Sequence, residues 1–263
     1  MSRPHHQALP GLHSASLTVD FPEGDIPAAG HARKAYTHGT HRVIEPRSTA
    51  EGLASKLAII GVTRIADITG LDYVGIPVMT AVRPLSRSLS VNQGKGLTRE
   101  EAKASALMEA VEYFCAEQTL DDRLLRPRDA LQPRQYILPK RSLRRSLAPR
   151  TVIPWVRGRD LPSGREVLVP EELVRLDFRN HRPEHYGWFR STSNGLAAGN
   201  TLAEASLHAL CELIERDAFS LWLQAPAERQ AARRVDVAGM AEPRIAWLMQ
   251  RYREARIEIQ IWD

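Results

Sequence analysis

The chain has 263 residues and a formal net charge of +5, with 43% hydrophobic and 25% charged residues. These proportions match globular proteins and exclude a wholly disordered or collagen-like chain. No apolar run approaches the roughly 18 residues that a membrane helix needs, and no secretion signal is visible. The two cysteines, Cys115 and Cys211, cannot build a disulfide framework or a four-thiolate zinc site, and we expect both in the core. The composition predicts a soluble, cytoplasmic globular protein.

The first part of the chain is rich in histidine, with six of the nine histidines in the first 41 residues. They are His5, His6, His13, His31, His38 and His41. A metal site would place histidines on one helix face or pair them with cysteines, whereas these are scattered among Pro, Gly and Ser. We therefore expect a flexible N-terminal tail over residues 1–33, followed by a domain over residues 34–263.

Secondary structure is predicted from about residue 64. Residues 64–69 and 76–82 have the composition of strands, and the glycine-bearing segment 70–75 between them is typical of a turn. A third unit follows in residues 87–112: a Ser-rich extended run, a loop with Gly94 and Gly96, and a helix. Thr98 and Glu101 fit a capping box at the start of that helix. Apolar residues then recur at helical spacing, namely Ala102, Ala106, Leu107 and Val111.

A basic segment follows around residues 121–150. Between Arg123 and Arg150 there are nine basic residues and a single acid, Asp129. Four prolines prevent one continuous helix there. One interpretation is a surface for nucleic acid, which binds through phosphate neutralisation; the other is a solvated connector. Tyr136 is the sole aromatic residue in the stretch, so base stacking lacks a platform, and we favour the connector.

The strand–loop–helix unit occurs a second time. An offset of 103 positions aligns residues 87–112 with residues 190–215, and 11 of the 26 aligned positions are identical. Average residue usage would give roughly one or two identities. Thr201 and Glu204 form the second capping box, and the apolar residues Ala205, Leu210 and Ile214 follow at helical spacing. Two such units, each with a helix on a strand, predict an α/β or α+β domain.

Glutamates recur at the same register of both predicted helices. One helix face carries Glu101, Glu109 and Glu112, and the other carries Glu204, Glu212 and Glu215. If both faces meet at one cleft, the carboxylates need compensation, and Mg²⁺, which shares its shell with phosphates, is suited to provide it. Two alternatives stay open: capping alone for Glu101 and Glu204, and a solvated surface for the others. Because no P-loop or dinucleotide motif is present, any nucleotide site is built differently.

Four motifs together resemble the YcaO-like superfamily. They are SVNQGKGLT at residues 90–98, SALMEAVE at 105–112, SNGLAAGNT at 193–201 and CELIERD at 211–217. The resemblance extends from about Lys34 to the C-terminus. It implies an α+β fold in which internally duplicated strand–loop–helix units surround an ATP and magnesium cleft. It also implies ATP-dependent phosphorylation of a peptide-backbone amide oxygen, leading to an azoline or a thioamide. Residues 61–72 resemble stand-alone members linked to thioamide formation.

The resemblance also implies site residues, position by position. The magnesium ligands would be Glu109, Glu112, Glu204, Glu212 and Glu215. The ATP contacts would be Ser105, Asn200, Arg216, Arg42 and Thr49. No catalytic residue is assigned. The implied partners are a peptide or protein substrate, a sulfur-transfer or substrate-presenting protein, and a second copy in a homodimer. Neither a membrane nor nucleic acid is expected as a partner.

Two departures from the family pattern stand out. Family members are longer, whereas this chain stops at Ile261–Trp262–Asp263, in a predicted strand, which we interpret as C-terminal truncation. Tyr113 also occupies a position where arginine is common in the family. The alternative hypothesis is therefore a non-catalytic nucleotide-binding, scaffold or accessory protein, for example a factor for ribosomal protein methylthiolation.

Overall fold

The computed structural model describes residues 33–38, 40–118, 122–179, 185–240 and 242–263. The tail predicted over residues 1–33 lies outside these residues except for Arg33, so the expectation of flexibility stays a prediction. In the described part of the chain, no helix combines the length and apolar character needed to cross a bilayer.

The first half of the domain is a three-stranded antiparallel sheet covered by two helices. Helix α1 (Pro46–Leu53) precedes strands β1 (Arg64–Asp67), β2 (Val78–Val82) and β3 (Val91–Lys95), and the sheet order is β1-β2-β3. The strands predicted at residues 64–69 and 76–82 are confirmed, each two residues shorter. The first predicted unit does contain a strand that leads into a helix, α2 (Arg99–Ala116), but the strand is shifted: β3 occupies most of the predicted glycine-bearing loop, and the Ser-rich run before it forms bends and irregular structure.

Helix α2 lies directly on this sheet. Its capping box forms as predicted, with Thr98 accepting from the Glu101 backbone N–H and Glu101 accepting from that of Thr98. Gly94 of β3 permits the close approach, because a Cβ there would lie 2.0 Å from the Ala106 backbone nitrogen. The core between helix and sheet contains Ala81 and Leu107, both fully buried. A side chain on Gly94 would therefore separate the strand from the helix.

The C-terminal end of α2 is fixed by a buried ion pair. Arg83, just after β2, and Glu117, just after α2, lie 2.7 Å apart with 3% of each side chain exposed. Arg83 also donates through Nε to the carbonyl of Ile60, and Ser88 donates to Glu117. These additional hydrogen bonds offset the desolvation cost of burying the two charges.

The second sheet contains part of the basic segment. Strands β4 (Leu124–Pro127), β5 (Val152–Arg159) and β6 (Glu166–Pro170) pair antiparallel in that order around a core with Trp155 and Phe189. Several apolar residues between β4 and β5 pack against this core: Leu131, Tyr136, Leu138, Leu143 and Leu147. The segment at residues 122–150 is therefore a folded part of the second sheet with an exposed basic surface, rather than a solvated connector.

The second repeat folds differently from the first. Helix α3 (Leu202–Leu223) forms as predicted, with Thr201 as its cap, but residues 191–201 form turns and irregular structure instead of a strand. The prediction that this second helix lies on a strand is therefore wrong, and its apolar residues are exposed: Leu210 is 45% exposed and Ile214 is 60% exposed. The reason is that no described sheet covers α3 as β2 and β3 cover α2. Cys115 and Cys211 are also exposed, so their placement in the core was wrong.

Short helices and strands follow α3. Helix α4 (Ala227–Ala232) leads into β7 (Arg234–Val235), helix α5 (Pro243–Glu254) follows, and β8 (Ile261–Trp262) pairs antiparallel with β7. The predicted terminal strand is thereby confirmed. The mixture of helices and small antiparallel sheets confirms the α+β class.

Candidate nucleotide and metal site

A cavity of about 540 Å³ lies where the two repeats meet. It is bounded by α1 and the chain before it, the loop from β3 to α2, helix α2 and the first half of α3. Four pairs of lining residues occupy equivalent positions of the repeats: Lys95 and Ala198, Leu97 and Asn200, Glu101 and Glu204, Ser105 and His208. The internal duplication thus builds both sides of one cavity.

Four of the five predicted ATP contacts line this cavity. They are Arg42, Thr49, Ser105 and Asn200. The Thr49 hydroxyl donates to the Asn200 side-chain oxygen over 3.0 Å, which joins α1 to the second repeat. Arg216 is absent from the described lining, and its guanidinium instead donates to Glu212 over 3.3 Å. The predicted contacts thus come from three separate segments of the chain.

Glu112 has the most strongly raised pKa among the glutamates of the site. Burial, together with the negative charges of Glu109 and Glu212, raises the pKa of Glu112 to about 7. Burial also raises the pKa of Glu109, although its carboxylate accepts the Gln93 backbone N–H over 3.1 Å. Glu212 accepts from the Gly195 backbone N–H over 3.2 Å. Three carboxylates from two helices therefore interact in a partly buried place, as the recurring register predicted.

These carboxylates fit magnesium in their chemistry, because Mg²⁺ takes oxygen ligands and compensates closely spaced negative charge. Among the described residues, no group of three or more His, Cys, Asp or Glu side chains is already arranged to hold a metal. Glu109, Glu112 and Glu212 would have to turn toward a common ion. Glu215 lines a different cavity, beside Phe219 and Trp222. The ligand role of each glutamate stays a prediction.

Glu204 has a hydrogen-bonding role that the sequence suggested only as an alternative. Its side chain is buried and accepts from the Asn200 backbone and side-chain amides over 3.0 and 3.1 Å, and from the Val43 backbone N–H over 2.7 Å. Burial opposes its ionisation, but these hydrogen bonds and nearby Arg42 outweigh burial and lower its pKa. An ionised Glu204 thus attaches the chain before α1 to the second repeat.

Glu101 occupies the equivalent position in the first repeat and acts in the same way. It accepts from the backbone N–H groups of Leu97 and Thr98, and from the Tyr36 hydroxyl. The Leu97 and Asn200 amides are equivalent donors under the offset of 103 positions. In both repeats, therefore, the glutamate at the third position of the helix positions one wall of the cavity.

Among the cavity-lining side chains that the sequence analysis left without a role, Lys95 and His208 can donate hydrogen bonds to a ligand. Lys95 is the last residue of β3, in a segment that does not fit the P-loop motif. His208 lies on α3, at the position that corresponds to Ser105. The signal for His208 was present in the repeat itself, because Ser105 had already been assigned to the nucleotide.

The fold and the site define a class of α+β proteins with a duplicated glutamate-bearing helix beside a nucleotide-sized cavity. The family model for YcaO cyclodehydratases, described as ATP- and Mg²⁺-binding, matches residues 93–263. The chain belongs to the YcaO family, as the sequence motifs indicated, and ATP and Mg²⁺ are the cofactors of that family.

Relatives and solved structures agree with this assignment. The chain is 37% identical to an uncharacterized protein of Methanothermobacter thermautotrophicus, over 84% of this chain and 57% of the relative. It is 38% identical to a Rhizobium leguminosarum protein from the tfuA 3′ region, over 84% of this chain and 53% of the relative. The chain therefore spans little more than half the length of these relatives.

Two solved structures have a similar fold. The YcaO protein of Methanopyrus kandleri, bound with AMPPCP and Mg²⁺, has a TM-score of 0.57 and 28% identity over 71% of this chain and 47% of that protein. A heterocyclase in complex with substrate and cofactor has a TM-score of 0.67 and 26% identity over 82% of this chain and 33% of that protein. Both similarities cover most of this chain and less than half of the compared structures.

Proposed function

We propose that this chain takes part in the ATP- and Mg²⁺-dependent activation of a peptide-backbone amide oxygen. The proposal rests mainly on one observation: Glu109, Glu112 and Glu212 interact beside the cavity that Arg42 and Ser105 line. Side chains that can donate hydrogen bonds to phosphate thus lie next to carboxylates that can bind a metal, as phosphoryl transfer from a nucleotide requires. Membership of the YcaO family supports the same activity.

The chemistry requires positioning and charge neutralisation, because an amide oxygen is a weak nucleophile. It would attack the terminal phosphorus of ATP with release of ADP. A second nucleophile would then add at the amide carbon and displace phosphate. In this chain, Arg42, Thr49, Ser105 and Asn200 would donate to the phosphates. Glu109, Glu112 and Glu212 would hold Mg²⁺, which neutralises triphosphate charge when bound.

We further propose a ribosomally made peptide or protein as the substrate. An internal Cys, Ser or Thr side chain as the second nucleophile would give an azoline, and a sulfur donor would give a thioamide. The similar heterocyclase in complex with substrate and cofactor supports a heterocycle-forming reaction. The thioamide route would require a sulfur-transfer partner. A homodimer and a cytoplasmic location stay part of this proposal.

A second candidate function is nucleotide binding without turnover, in an accessory or scaffold protein. The hydrogen-bond donors that line the cavity, which are Arg42, Thr49, Ser105 and Asn200, would serve such a protein equally, because nucleotide binding does not require turnover. ADP release in the presence of candidate peptides distinguishes the two candidates, because only the amide-activating enzyme releases ADP.

Calorimetry with ATP and Mg²⁺ tests the site that both candidates share. The wild-type chain should bind, and a Glu112→Gln, Glu212→Gln double variant should lose at least tenfold in affinity because both substitutions remove ligand charge. Glu228→Gln, an exposed position on α4, is the matched control and should bind as the wild type does. Equal affinity for the wild type and the double variant would contradict the proposed site.

A further inference from the structure

We propose that His208 is a phosphate-binding residue of the nucleotide site and the second-repeat counterpart of Ser105. This inference rests on the proposed function, because it assigns a further contact within the same cavity. His208 lies between the family motifs at residues 193–201 and 211–217 and belongs to neither.

The internal repeat supplies the first argument. Ser105 is the seventh residue of α2 and His208 is the seventh residue of α3, and both line the cavity. The preceding equivalent pair, Glu101 and Glu204, lines the same cavity and uses its carboxylates in the same way. The two helices therefore present equivalent faces to one ligand. A ligand that contacts Ser105 on α2 would therefore also contact His208 on α3.

The surroundings of His208 supply the second argument. Its side chain is exposed, and it forms no hydrogen bond with any residue in the described part of the chain, so its ring N–H is free to donate. Arg42 and Lys95 are the cationic side chains of the described lining, which also contains four glutamates, so a polyanion would enter this cavity together with Mg²⁺. The phosphate oxygens of a nucleotide are acceptors, and an imidazole N–H is a suitable donor to them.

The position within the cavity favours phosphate over the base. The apolar lining residues come from α1, the β3–α2 loop and nearby segments of the first half of the chain, namely Ile44, Pro46, Ile76, Leu97 and Met108. These side chains suit a purine ring. The described lining from the second repeat is Ala198, Asn200, Glu204 and His208, which is mostly polar. The first half of the chain also supplies polar lining residues, including Arg42, Thr49 and Ser105, so His208 belongs to the polar part of the lining, where the phosphates would lie.

The test compares ATP with AMP in titration calorimetry in the presence of Mg²⁺. His208→Ala should weaken ATP binding by about 5- to 20-fold, the cost of roughly one charge-assisted hydrogen bond, and leave AMP affinity within twofold. His208→Gln keeps an N–H donor and should recover most of the loss. Ser206→Ala, a position on α3 outside the described lining, is the control and should bind both nucleotides as the wild type does.

The outcomes separate this inference from the proposed function. If wild-type protein and the His208 variants bind ATP equally, while the Glu112→Gln, Glu212→Gln variant does not bind, the inference is wrong and the proposed function stands. If His208→Ala weakens ATP and AMP by the same factor, His208 acts through packing and the inference is again wrong. If the wild type binds no ATP at all, both fail.

Discussion

The carboxylate of Glu112, on α2, lies beside the backbone amide of Ala198, in the loop that precedes α3, and this amide limits the rise in the pKa of Glu112. Both residues line the cavity, and the negative charge of Glu212 on α3 raises the same pKa. The repeats therefore share one site, and the second repeat shapes the ionisation of a carboxyl group in the first.

We expect Glu112→Gln to stabilise the metal-free protein at alkaline pH. The pKa of Glu112 in the folded protein, about 7, exceeds its ordinary value of 4.5, so the folded state binds more protons than the unfolded state between these values. This group therefore lowers the free energy of unfolding as the pH rises from 4.5 to 7. Glutamine avoids the loss and should add roughly 1–2 kcal/mol at pH 8, allowing for solvent screening.

Chemical denaturation at pH 4.5 and pH 8 measures this effect. The variant should differ from the wild type at pH 8 and not at pH 4.5, where the wild-type carboxyl is already protonated in the folded state. Glu228→Gln on α4 controls for the loss of a surface charge. A stability difference that is the same at both pH values would contradict the assigned pKa.

Magnesium binding should release a proton near neutral pH. A metal ligand must be ionised, and Glu112, with a pKa of about 7, is only partly ionised at pH 7 in the metal-free protein. Calorimetric titration of Mg²⁺ and ATP in two buffers with different ionisation enthalpies measures the number of protons released. The number should approach zero at pH 9, after correction for the protonation of ATP itself. A proton release independent of pH would argue against Glu112 as a ligand.

Glu204→Gln should loosen the chain before α1. Glutamine keeps one acceptor oxygen, so it cannot accept from both Val43 and Asn200 as the carboxylate does. We expect a loss of about 1–3 kcal/mol in the free energy of unfolding, and faster hydrogen exchange at the Val43 amide. Glu215→Gln, exposed on the same helix, should leave the exchange at Val43 unchanged. Unchanged exchange in the Glu204 variant would mean that this hydrogen bond does not hold the segment.

Gly94→Ala should destabilise the domain strongly. A Cβ at this position would lie 2.0 Å from the Ala106 nitrogen and 2.2 Å from the Ala102 carbonyl oxygen, both in the backbone of α2. The helix would have to move off the sheet, and we expect a loss of at least about 3 kcal/mol. Gly52→Ala in α1 is the matched control, because no atom lies within 4 Å of its Cβ position. Thermal unfolding of both variants measures the contrast.

The sequence predicted local structure well because local signals determine it. The capping boxes at Thr98 and Thr201 marked the start of α2 and α3 within one residue. The repeat register also predicted that glutamates of both helices would approach each other, as Glu112 and Glu212 do.

The errors concern the surroundings of an element rather than the element itself. The second repeat predicted a helix on a strand, but residues 191–201 form no strand, and no described sheet covers the apolar residues Leu210 and Ile214. Likewise, the charge of residues 122–150 concealed apolar side chains that pack against Trp155. Arg216 was assigned to the phosphates from its motif, whereas its described partner is Glu212.

The exposed apolar side chains of α3 have a consequence for measurements of nucleotide affinity. The helix carries the cavity-lining residues Glu204 and His208 in its first half and exposes Phe219, Leu221 and Leu223 to solvent near its C-terminal end. Thermodynamic reciprocity requires that any change in nucleotide affinity caused by a molecule on this apolar surface is matched by an equal change in the affinity of that molecule when nucleotide binds.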